Sequence, residues 1–305
     1  MNYNEAAVER HAAWRGKIEV VSRVALETKD DLSVAYTPGV AEPCRRIYKH
    51  TDDVFRYTRR WNLVAVVTDG SAVLGLGNIG PEAAMPVMEG KAVLFKTFGD
   101  VDAFPICLAT QETEEIVAAV RAIAPTFGGI NLEDISAPRC FEIEERLMEA
   151  LDIPVFHDDQ HGTAVVVLGA LMNALEITGR EFAGVRVVIN GCGAAGVAVM
   201  KLLREVGVRQ VVMLDSKGIV CAGRNDLNAA KRAIVAETNP EGVSGGLEEA
   251  MRGADVFIGV SVKDVVTPAM VRSMAKDAIV LALANPDPEI LPEAAKGAGA
   301  RIVGT

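Results

Sequence analysis

Val185–Gly196 reads VRVVINGCGAAG and decides the fold of the second half of the chain. Its first six residues have the apolar, β-branched character of a buried strand. The next six match the spacing G-x-G-x-x-G and open a predicted helix, Ala194–Val206. These loop residues are Gly191, Cys192, Gly193, Ala194, Ala195 and Gly196. Asp215 closes the next predicted strand, 19 residues after Gly196. Strand, glycine loop, helix and distal acid together predict a dinucleotide-binding site.

The glycine loop suits a pyrophosphate, because glycines let backbone N–H groups approach it and the helix N-terminus adds positive potential. Glycine-rich turns also serve packing, so the prediction depends on the strand, helix and acid together. Cys192 is interpreted as a small space-filling residue. Asp215 suits a ribose hydroxyl and would repel a 2′-phosphate, whereas Lys217 would attract one. The pattern therefore leaves NAD and NADP both open.

The alternation of strands and helices continues to the end of the sequence. The predicted strands are Gln210–Ser216, Asp255–Ser261, Ala278–Asn285 and a last one beginning at Arg301–Val303. The predicted helices are Asp226–Glu237, Thr267–Lys276 and Pro292–Ala298. Continuous apolar strands separated by helices indicate an α/β fold with a parallel, doubly wound, Rossmann-type sheet covered on both faces.

The first half of the chain has a mixed α/β pattern. Its predicted strands are Leu63–Thr68 and Pro105–Leu108, and its predicted helices are Glu112–Ala124 and Pro138–Leu151. A glycine-rich loop, Gly70–Gly80, precedes a helix that begins at Pro81. A further helix, Thr163–Ile177, ends at Gly179 and leads into the nucleotide-binding half. We place the domain boundary within Asp152–Thr163, which gives domains 1–155 and 156–305.

Composition excludes several classes of protein. The 305 residues are half hydrophobic and carry a net charge of −10, so the chain can bury a core, and it lacks the basic balance of a nucleic-acid or anionic-membrane binder. The longest apolar run, Ala164–Met172, covers 9 residues and is too short for a membrane span. The first residues lack a signal-peptide pattern, and the five cysteines form no C-x-x-C pair. A cytoplasmic location with reduced thiols is expected.

Adjacent acids occur at two predicted strand ends. Glu133 and Asp134 lie in NLEDI, and Asp158 and Asp159 lie in FHDDQHGT. Carboxylates without nearby thiolates suit Mg²⁺ or Mn²⁺. Aspartates also cap helices, and the pattern favours neither interpretation. For the histidines of the second motif, His157 and His161, it favours a hydrogen-bonded loop over metal ligation.

Tyr36 and Lys91 are candidates that chemistry alone would not select. Tyr36 precedes Thr37-Pro38-Gly39 in a predicted turn, where a tyrosine ordinarily packs with its hydroxyl outward. Lys91 interrupts an otherwise apolar helix, where a lysine ordinarily extends its amine to solvent. A desolvated lysine is nevertheless a good general base.

Long segments of the chain resemble bacterial malic enzymes. They are YTPGVA from Tyr36, VVTDGSAVLGLGNIGPEAAMPVMEGKAVLFKTFGDVDAFPI, NLEDI, FHDDQHGTA, NGCGAAG and LANPDPEI. Their order and spacing match over the sequence from about Leu32 to the last residue. The resemblance implies a mixed α/β malic-enzyme domain followed by a Rossmann-type NAD(P)-binding domain. It also implies oxidative decarboxylation of malate to pyruvate and CO₂ with NAD or NADP and Mg²⁺ or Mn²⁺.

The resemblance assigns roles to individual residues. Lys91 matches the general base at the malate C2 hydroxyl, Tyr36 the general acid that protonates C3, and Asp158 the acid that hydrogen-bonds the lysine. The matching metal ligands are Glu133, Asp134 and Asp159. Asn285 matches a residue that contacts substrate and cofactor. Family members of this size are expected to form homodimers or higher homo-oligomers, with Tyr36 supplied to the active site of a partner subunit.

Two departures from the family pattern keep an alternative open. The stretch Gly70–Gly75 carries no arginine for the substrate carboxylate, so recognition is expected from Ser71, backbone amides and the metal. The sequence stops at Thr305, as the strand that begins at Arg301–Val303 finishes, whereas the family continues. A truncated, non-catalytic nucleotide-binding or oligomerising homologue therefore competes with the enzyme. Another NAD-dependent 2-hydroxy acid dehydrogenase is disfavoured, because those enzymes typically use a histidine–carboxylate base and an arginine clamp and need no metal acids.

Overall fold

The computed structural model describes residues 3–73 and 76–305. Leu74 and Gly75, within the predicted glycine-rich loop, lie outside the described residues. The chain divides into two compact units. The first comprises the residues up to Val73, Gly77–Ile135 and Glu142–Phe156, and the second comprises Ser136–Phe141 and His157–Thr305.

Ten strands lie in the described residues: β1 (Leu63–Thr68), β2 (Asp102–Cys107), β3 (Gly129–Leu132), β4 (Val155–His157), β5 (Arg186–Asn190), β6 (Gln210–Asp215), β7 (Gly218–Ile219), β8 (Val256–Gly259), β9 (Ile279–Ala282) and β10 (Ile302–Gly304). The α-helices of the same residues are α1 (Tyr3–Trp14), α2 (Lys29–Ala35), α3 (Ala41–Lys49), α4 (Val54–Tyr57), α5 (Pro81–Gly99), α6 (Thr113–Ile123), α7 (Arg139–Ala150), α8 (Asp158–Thr178), α9 (Ala194–Glu205), α10 (Ala229–Glu237), α11 (Leu247–Met251), α12 (Pro268–Ser273) and α13 (Pro292–Gly297). Short 3₁₀ turns cover Thr51–Asp53, Arg59–Asn62, Ala124–Thr126 and Phe182–Gly184.

A four-stranded sheet in the order β2-β1-β3-β4 contains the strands that precede the first carboxylate motif. β1 pairs in parallel with both β2 and β3, and Val67 lies opposite Leu132. The centre of β1 is fully buried, as expected for a strand covered on both faces. Since parallel strands end at the same edge, the residues after β1 and after β3 are neighbours in the first unit.

The second unit contains a six-stranded sheet in the order β10-β9-β8-β5-β6-β7. β5 pairs in parallel with β6 on one side and with β8 on the other, so the strand order reverses at the end of β5. In open α/β sheets ligands bind at such a reversal, outside the carboxyl ends of the strands. The predicted sheet is parallel except at one edge, where the short strand β7 pairs antiparallel with β6. Its two residues are too few to show as a strand pattern in the sequence.

Alternate residues of β5 enter two different cores. Val187 and Ile189 pack with buried residues of α8 and α9, whereas Val188 packs with residues of α12 and α13. Helices therefore cover both faces of the sheet, which confirms the predicted doubly wound arrangement.

The structure corrects the start of the long helix at the predicted domain boundary. α8 begins at Asp158, five residues before the predicted Thr163, and ends before Gly179, which adopts the left-handed conformation as its C-cap. β4 ends at His157, so strand and helix meet directly. Asp158 and Asp159 occupy the first helical turn, where the helix dipole favours negative charge. The loop expected around His157 and His161 is therefore wrong.

Smaller differences concern element ends. The helix predicted from Asp226 begins at Ala229, because the Asn228 side chain accepts the Lys231 N–H and caps it. The Thr267 side chain likewise caps α12, which is shorter than predicted. A polar side chain that binds backbone N–H groups fixes a helix start more narrowly than a hydrophobic pattern does.

One helix of the described residues, α8, is long and apolar enough to cross a membrane by length and composition. Core helices pass the same measure, and α8 buries Ala164, Val167 and Leu171 in the second unit. The finding is weak evidence for a membrane segment.

We expect the buried Phe257 of β8 to carry much of the stability of the second unit. Its side chain is fully buried, so Phe257→Ala should lower the free energy of unfolding by about 3–5 kcal/mol in urea titrations followed by circular dichroism. Phe98→Ala is the matched control, because Phe98 is 82% exposed and its loss should change stability by no more than about 0.5 kcal/mol. Equal losses in both variants would contradict this placement of the core.

Candidate active site

Glu133 and Asp134 follow β3 directly, and each is only 4% exposed. The Asn131 side-chain amide donates to Glu133 Oε2 at 2.7 Å. Asp134 has a positive φ of 54°, a conformation that aspartate tolerates better than most residues. Two carboxylates are thus held out of water at the edge of the first sheet.

Lys91 brings a cation to this acid pair. Its Nζ lies 3.0 Å from Glu133 Oε1, and the two side chains are 21% and 6% exposed. The ordinary interpretation, a lysine that extends to solvent, is therefore wrong. Lys91 lies on α5, which begins at Pro81 as predicted. Because both side chains are mostly buried, the attraction between the two charges is screened less by solvent than it would be at the surface.

The glycine-rich loop after β1 lies against the acid pair. The Ala72 N–H donates to the Asp134 carbonyl at 2.9 Å. Asp69, fully buried and not predicted from the sequence, accepts the Ser71 N–H at 2.9 Å and the Ser71 hydroxyl at 2.5 Å. These bonds fix the predicted substrate-binding residue Ser71 next to the backbone of Asp134. The sequence signal for Asp69 was its place directly after an apolar strand.

The chemistry of the acid pair fits a hard divalent cation. Buried carboxylate oxygens are the ligands that Mg²⁺ and Mn²⁺ prefer. In the second unit, Asp159 lies in the first turn of α8 with its Oδ2 3.5 Å from Nε2 of the fully buried His157. The α8 N-cap is His157, which makes no side-chain capping bond, so neither aspartate is the cap itself. The metal role of Asp159 and the lysine contact of Asp158 stay predictions.

Tyr36 ends α2, where its N–H donates to the Leu32 carbonyl at 2.9 Å. Its side chain is 67% exposed, so within one chain it is not the packed turn residue of the ordinary interpretation. The helices α1 to α4 contain no buried residue.

The dinucleotide loop has the close approaches that require glycine. A Cβ on Gly196 would lie 1.9 Å from the Gly191 carbonyl oxygen, and Gly191 itself has a φ of +126°. α9 begins directly at Ala194, and a cavity of about 590 Å³ opens beside the loop. Burial raises the pKa of the Cys192 thiol, so this loop residue is uncharged and consistent with a space-filling role.

Asp215 lies in the same cavity but is already paired. Arg224 binds it through two nitrogens at 2.7 and 3.1 Å, and Lys231 Nζ lies 2.5 Å away. Burial opposes ionisation, but the hydrogen bonds from Arg224 and Lys231 prevail and lower the pKa of Asp215 to about 2. Sequence reasoning missed both cations, which lie beyond the strand in a segment without a motif.

Glu289 is a second residue that sequence reasoning missed. It is fully buried and accepts the Ser261 N–H at 2.8 Å and the Ala284 N–H at 3.0 Å. It thereby ties the segment after β8 to the segment after β9, in which the exposed Asn285 follows Ala284. The Asn190 side chain donates to the Ser261 hydroxyl at 2.8 Å and joins the end of β5 to this group. The sequence signal that could have identified Glu289 was its place as the second acid of the motif LANPDPEI.

Two family models match the chain. Residues 15–148 match the N-terminal domain of malic enzymes, and residues 160–297 match their NAD-binding domain. The chain belongs to the malic enzyme family.

Individual malic enzymes are similar over nearly the whole chain. The bifunctional malic/malolactic enzyme of Bacillus subtilis is 56% identical over all of this chain, which spans 75% of that protein. The NAD-dependent malic enzyme of Geobacillus stearothermophilus is 56% identical over 92% of the chain, which spans only 59% of that protein. A solved structure of NAD-dependent malic enzyme from Thermotoga maritima matches with a TM-score of 0.95 and 52% identity, covering 97% of this chain and 79% of that one.

These comparisons confirm the resemblance inferred from the motifs, the α/β fold with a Rossmann-type domain, and the class of NAD- or NADP-dependent oxidoreductases. The similar proteins are named as enzymes, which favours the catalytic interpretation over the non-catalytic homologue.

Glu289 provides a test of how the second unit of this chain is held together. Glu289→Ala removes the acceptor of two backbone N–H groups, so the free energy of unfolding should fall by at least about 1–3 kcal/mol. Glu293→Ala, an exposed acid four residues on, is the control and should change it by less than about 0.5 kcal/mol. A Glu289→Ala protein as stable as the control would refute the structural role of the carboxylate.

Proposed function

We propose that this chain catalyses the metal-dependent oxidative decarboxylation of malate to pyruvate and CO₂, with reduction of NAD or NADP. The observation that carries the proposal is the Lys91–Glu133 pair beside Asp134, in a chain of the malic enzyme family. It supplies a base and carboxylates in one buried place.

We further propose a division of labour between domains 1–155 and 156–305. The first carries Lys91, Glu133 and Asp134, and the second carries Asp158, Asp159 and the dinucleotide loop. Glu133, Asp134 and Asp159 would hold Mg²⁺ or Mn²⁺. When bound, the divalent cation polarises the C2 oxygen of malate and the nicotinamide accepts the C2 hydride.

Lys91 acts as the general base in this proposal. It takes the proton from the malate C2 hydroxyl while the C2 hydride leaves. A divalent cation held by Glu133 and Asp134 would disfavour the protonated form of Lys91 and so would keep the amine able to accept that proton. Asp158 orients the lysine. Ser71 and Asn285 contact the substrate, and Asn285 also contacts the coenzyme.

Tyr36 acts as the general acid after decarboxylation. Loss of CO₂ from the 2-oxo acid leaves an enolate, and Tyr36 donates a proton to its C3 to give pyruvate. The exposure of Tyr36 supports a homodimer or higher homo-oligomer in which a second copy of the chain covers this region. Trp14 and Tyr48, which are 52% and 91% exposed, are further large side chains of the N-terminal helices that an interface would cover.

The metal requirement and the role of Lys91 as general base are tested by following coenzyme reduction at 340 nm with malate as substrate. Chelator should abolish turnover, and Mn²⁺ or Mg²⁺ should restore it. Lys91→Ala should lower kcat about 10²–10⁴-fold, because general base catalysis is lost, and should leave coenzyme binding intact. Lys96→Ala, on the same helix with a 55% exposed side chain, is the matched control. Undiminished turnover after Lys91→Ala would rule out its role as the base.

Tyr36→Phe keeps the ring and removes the proton. We expect kcat to fall about 10²–10⁴-fold, with the largest loss when oxaloacetate is the starting material. Tyr48→Phe serves as the control on a neighbouring helix. If Tyr36 acts in the site of a partner, mixed oligomers of Tyr36→Phe and Lys91→Ala chains should recover part of the activity that each variant lacks. Near-normal turnover of Tyr36→Phe would exclude the catalytic role.

A second product is tested in the same assay. The Bacillus subtilis relative is named a bifunctional malic/malolactic enzyme, so lactate should be measured beside pyruvate. Formation of lactate and CO₂ from malate involves no net change in coenzyme, so it would escape detection at 340 nm.

A further inference from the structure

The cavity beside the dinucleotide loop contains a cluster of charges, and the proposed function leaves open which coenzyme this cluster favours. Asp215, Ser216, Lys217 and Lys231 all line it, at the carboxyl end of β6. This is the side chain set that would face the ribose of a dinucleotide whose pyrophosphate lies on the glycine loop. The hydrogen bonds that Asp215 already makes therefore bear on whether the site accepts the free 2′-hydroxyl of NAD or the 2′-phosphate of NADP.

The acceptor positions of Asp215 are filled. Oδ1 accepts the Lys217 N–H at 2.9 Å and Arg224 Nη1 at 2.7 Å. Oδ2 accepts Arg224 Nη2 at 3.1 Å and Lys231 Nζ at 2.5 Å. A carboxylate offers about four lone-pair positions. The ribose hydroxyls of NAD would have to displace one of these donors, and two of the three partner groups are cations.

Arg224 pairs with Asp215 and Asp226 and is therefore not available to bind a ligand. Its Nε and Nη2 also donate to Asp226 at 3.0 and 2.8 Å, and its Nη1 to the Gly218 carbonyl at 3.3 Å. Its side chain is only 14% exposed. With five N–H donors in total, the guanidinium is fully used by the protein.

The two lysines remain able to bind an anion. An ammonium has three N–H donors, and Lys231 gives one to Asp215 while Lys217 gives one to Asp226 at 2.9 Å. Their side chains are 28% and 68% exposed. The cluster holds three cations against two carboxylates, a net charge of +1. A phosphate monoester, with a charge of roughly −1.5 to −2 at pH 7, is attracted to it.

We propose that this site selects NADP over NAD, with Lys217 and Lys231 binding the 2′-phosphate and Arg224 cancelling the repulsion from Asp215. The reaction served by this preference rests on the proposed function, but the preference in binding does not. The low pKa of Asp215 keeps its carboxylate ionised and paired at neutral pH, so it does not become a free acceptor.

Calorimetric titration of the full chain with 2′,5′-ADP and with 5′-AMP, which differ only in the 2′-phosphate, tests this preference. The 2′,5′-ADP should bind at least about tenfold more tightly, since one charge-assisted hydrogen bond is worth that much. Lys217→Met and Lys231→Met should each weaken 2′,5′-ADP binding by about ten- to hundredfold and bring the two affinities together. Lys276→Met, an exposed lysine at the opposite edge of the sheet before β9, should leave the ratio unchanged. Lys217 is exposed, so its variant should fold even if Lys231→Met is destabilised.

The salt dependence gives an independent readout. Because the lysines are partly solvated, the preference for 2′,5′-ADP should shrink as the ionic strength rises to 1 M. Equal binding of the two nucleotides, tighter binding of 5′-AMP, an unchanged ratio in both lysine variants, or no binding of either nucleotide would overturn the proposal.

The two proposals fail in different ways. A preference for 2′,5′-ADP without any malate-dependent reduction of NAD or NADP would refute the proposed function alone. Malate oxidation that is faster with NAD than with NADP at equal subsaturating concentrations would refute the selection of NADP alone.

Discussion

The ion pair of Lys91 with Glu133 is the interaction on which the chemistry of the first unit depends. Burying a charge costs free energy unless a partner compensates it, and here each partner comes from a different element. The ion pair therefore links helix α5 to the end of strand β3. Replacing the lysine by an apolar residue would remove the cation that lies 3.0 Å from Glu133. The pair therefore fixes both the position of the two side chains and the charge between them.

Buried carboxylates organise the second unit as well, in two different ways. Asp215 is compensated by cations, which keeps the charge of its neighbourhood positive. Glu289 is held by backbone N–H groups and a hydroxyl of the segments that follow β8 and β9. The cations around Asp215 create a positive electrostatic field that would attract an anionic ligand. Glu289 instead fixes the backbone that such a ligand would contact. Carboxylates that follow strands therefore have different roles, which depend on whether cations or backbone N–H groups surround them.

The sequence predicted the parts of this protein that repeat a local rule. The strand–glycine loop–helix unit around Gly191 follows from hydrophobic runs and glycine spacing, and β1 and the start of α5 were predicted at their observed residues. Features that depend on partners distant in sequence were not predictable. Nothing local marks Arg224 as the partner of Asp215, and the direct passage from His157 into α8 depends on packing rather than on a loop signal. The resemblance supplied the residue-level roles, and all of them stay predictions: those of Tyr36, Lys91, Glu133, Asp134, Asp158, Asp159 and Asn285.

Net charge and local charge lead to opposite expectations for this chain. A charge of −10 would repel a dicarboxylate and a phosphorylated coenzyme, if the charge were spread evenly. Exposed charges are screened over roughly 8–10 Å at physiological salt, so a bound anion responds mainly to the groups within that distance. Around Asp215 those groups are mostly cations, and the acid itself is saturated by them. The net charge therefore bears on solubility and nonspecific association, whereas the binding of a particular anion depends on the few charged groups around its site.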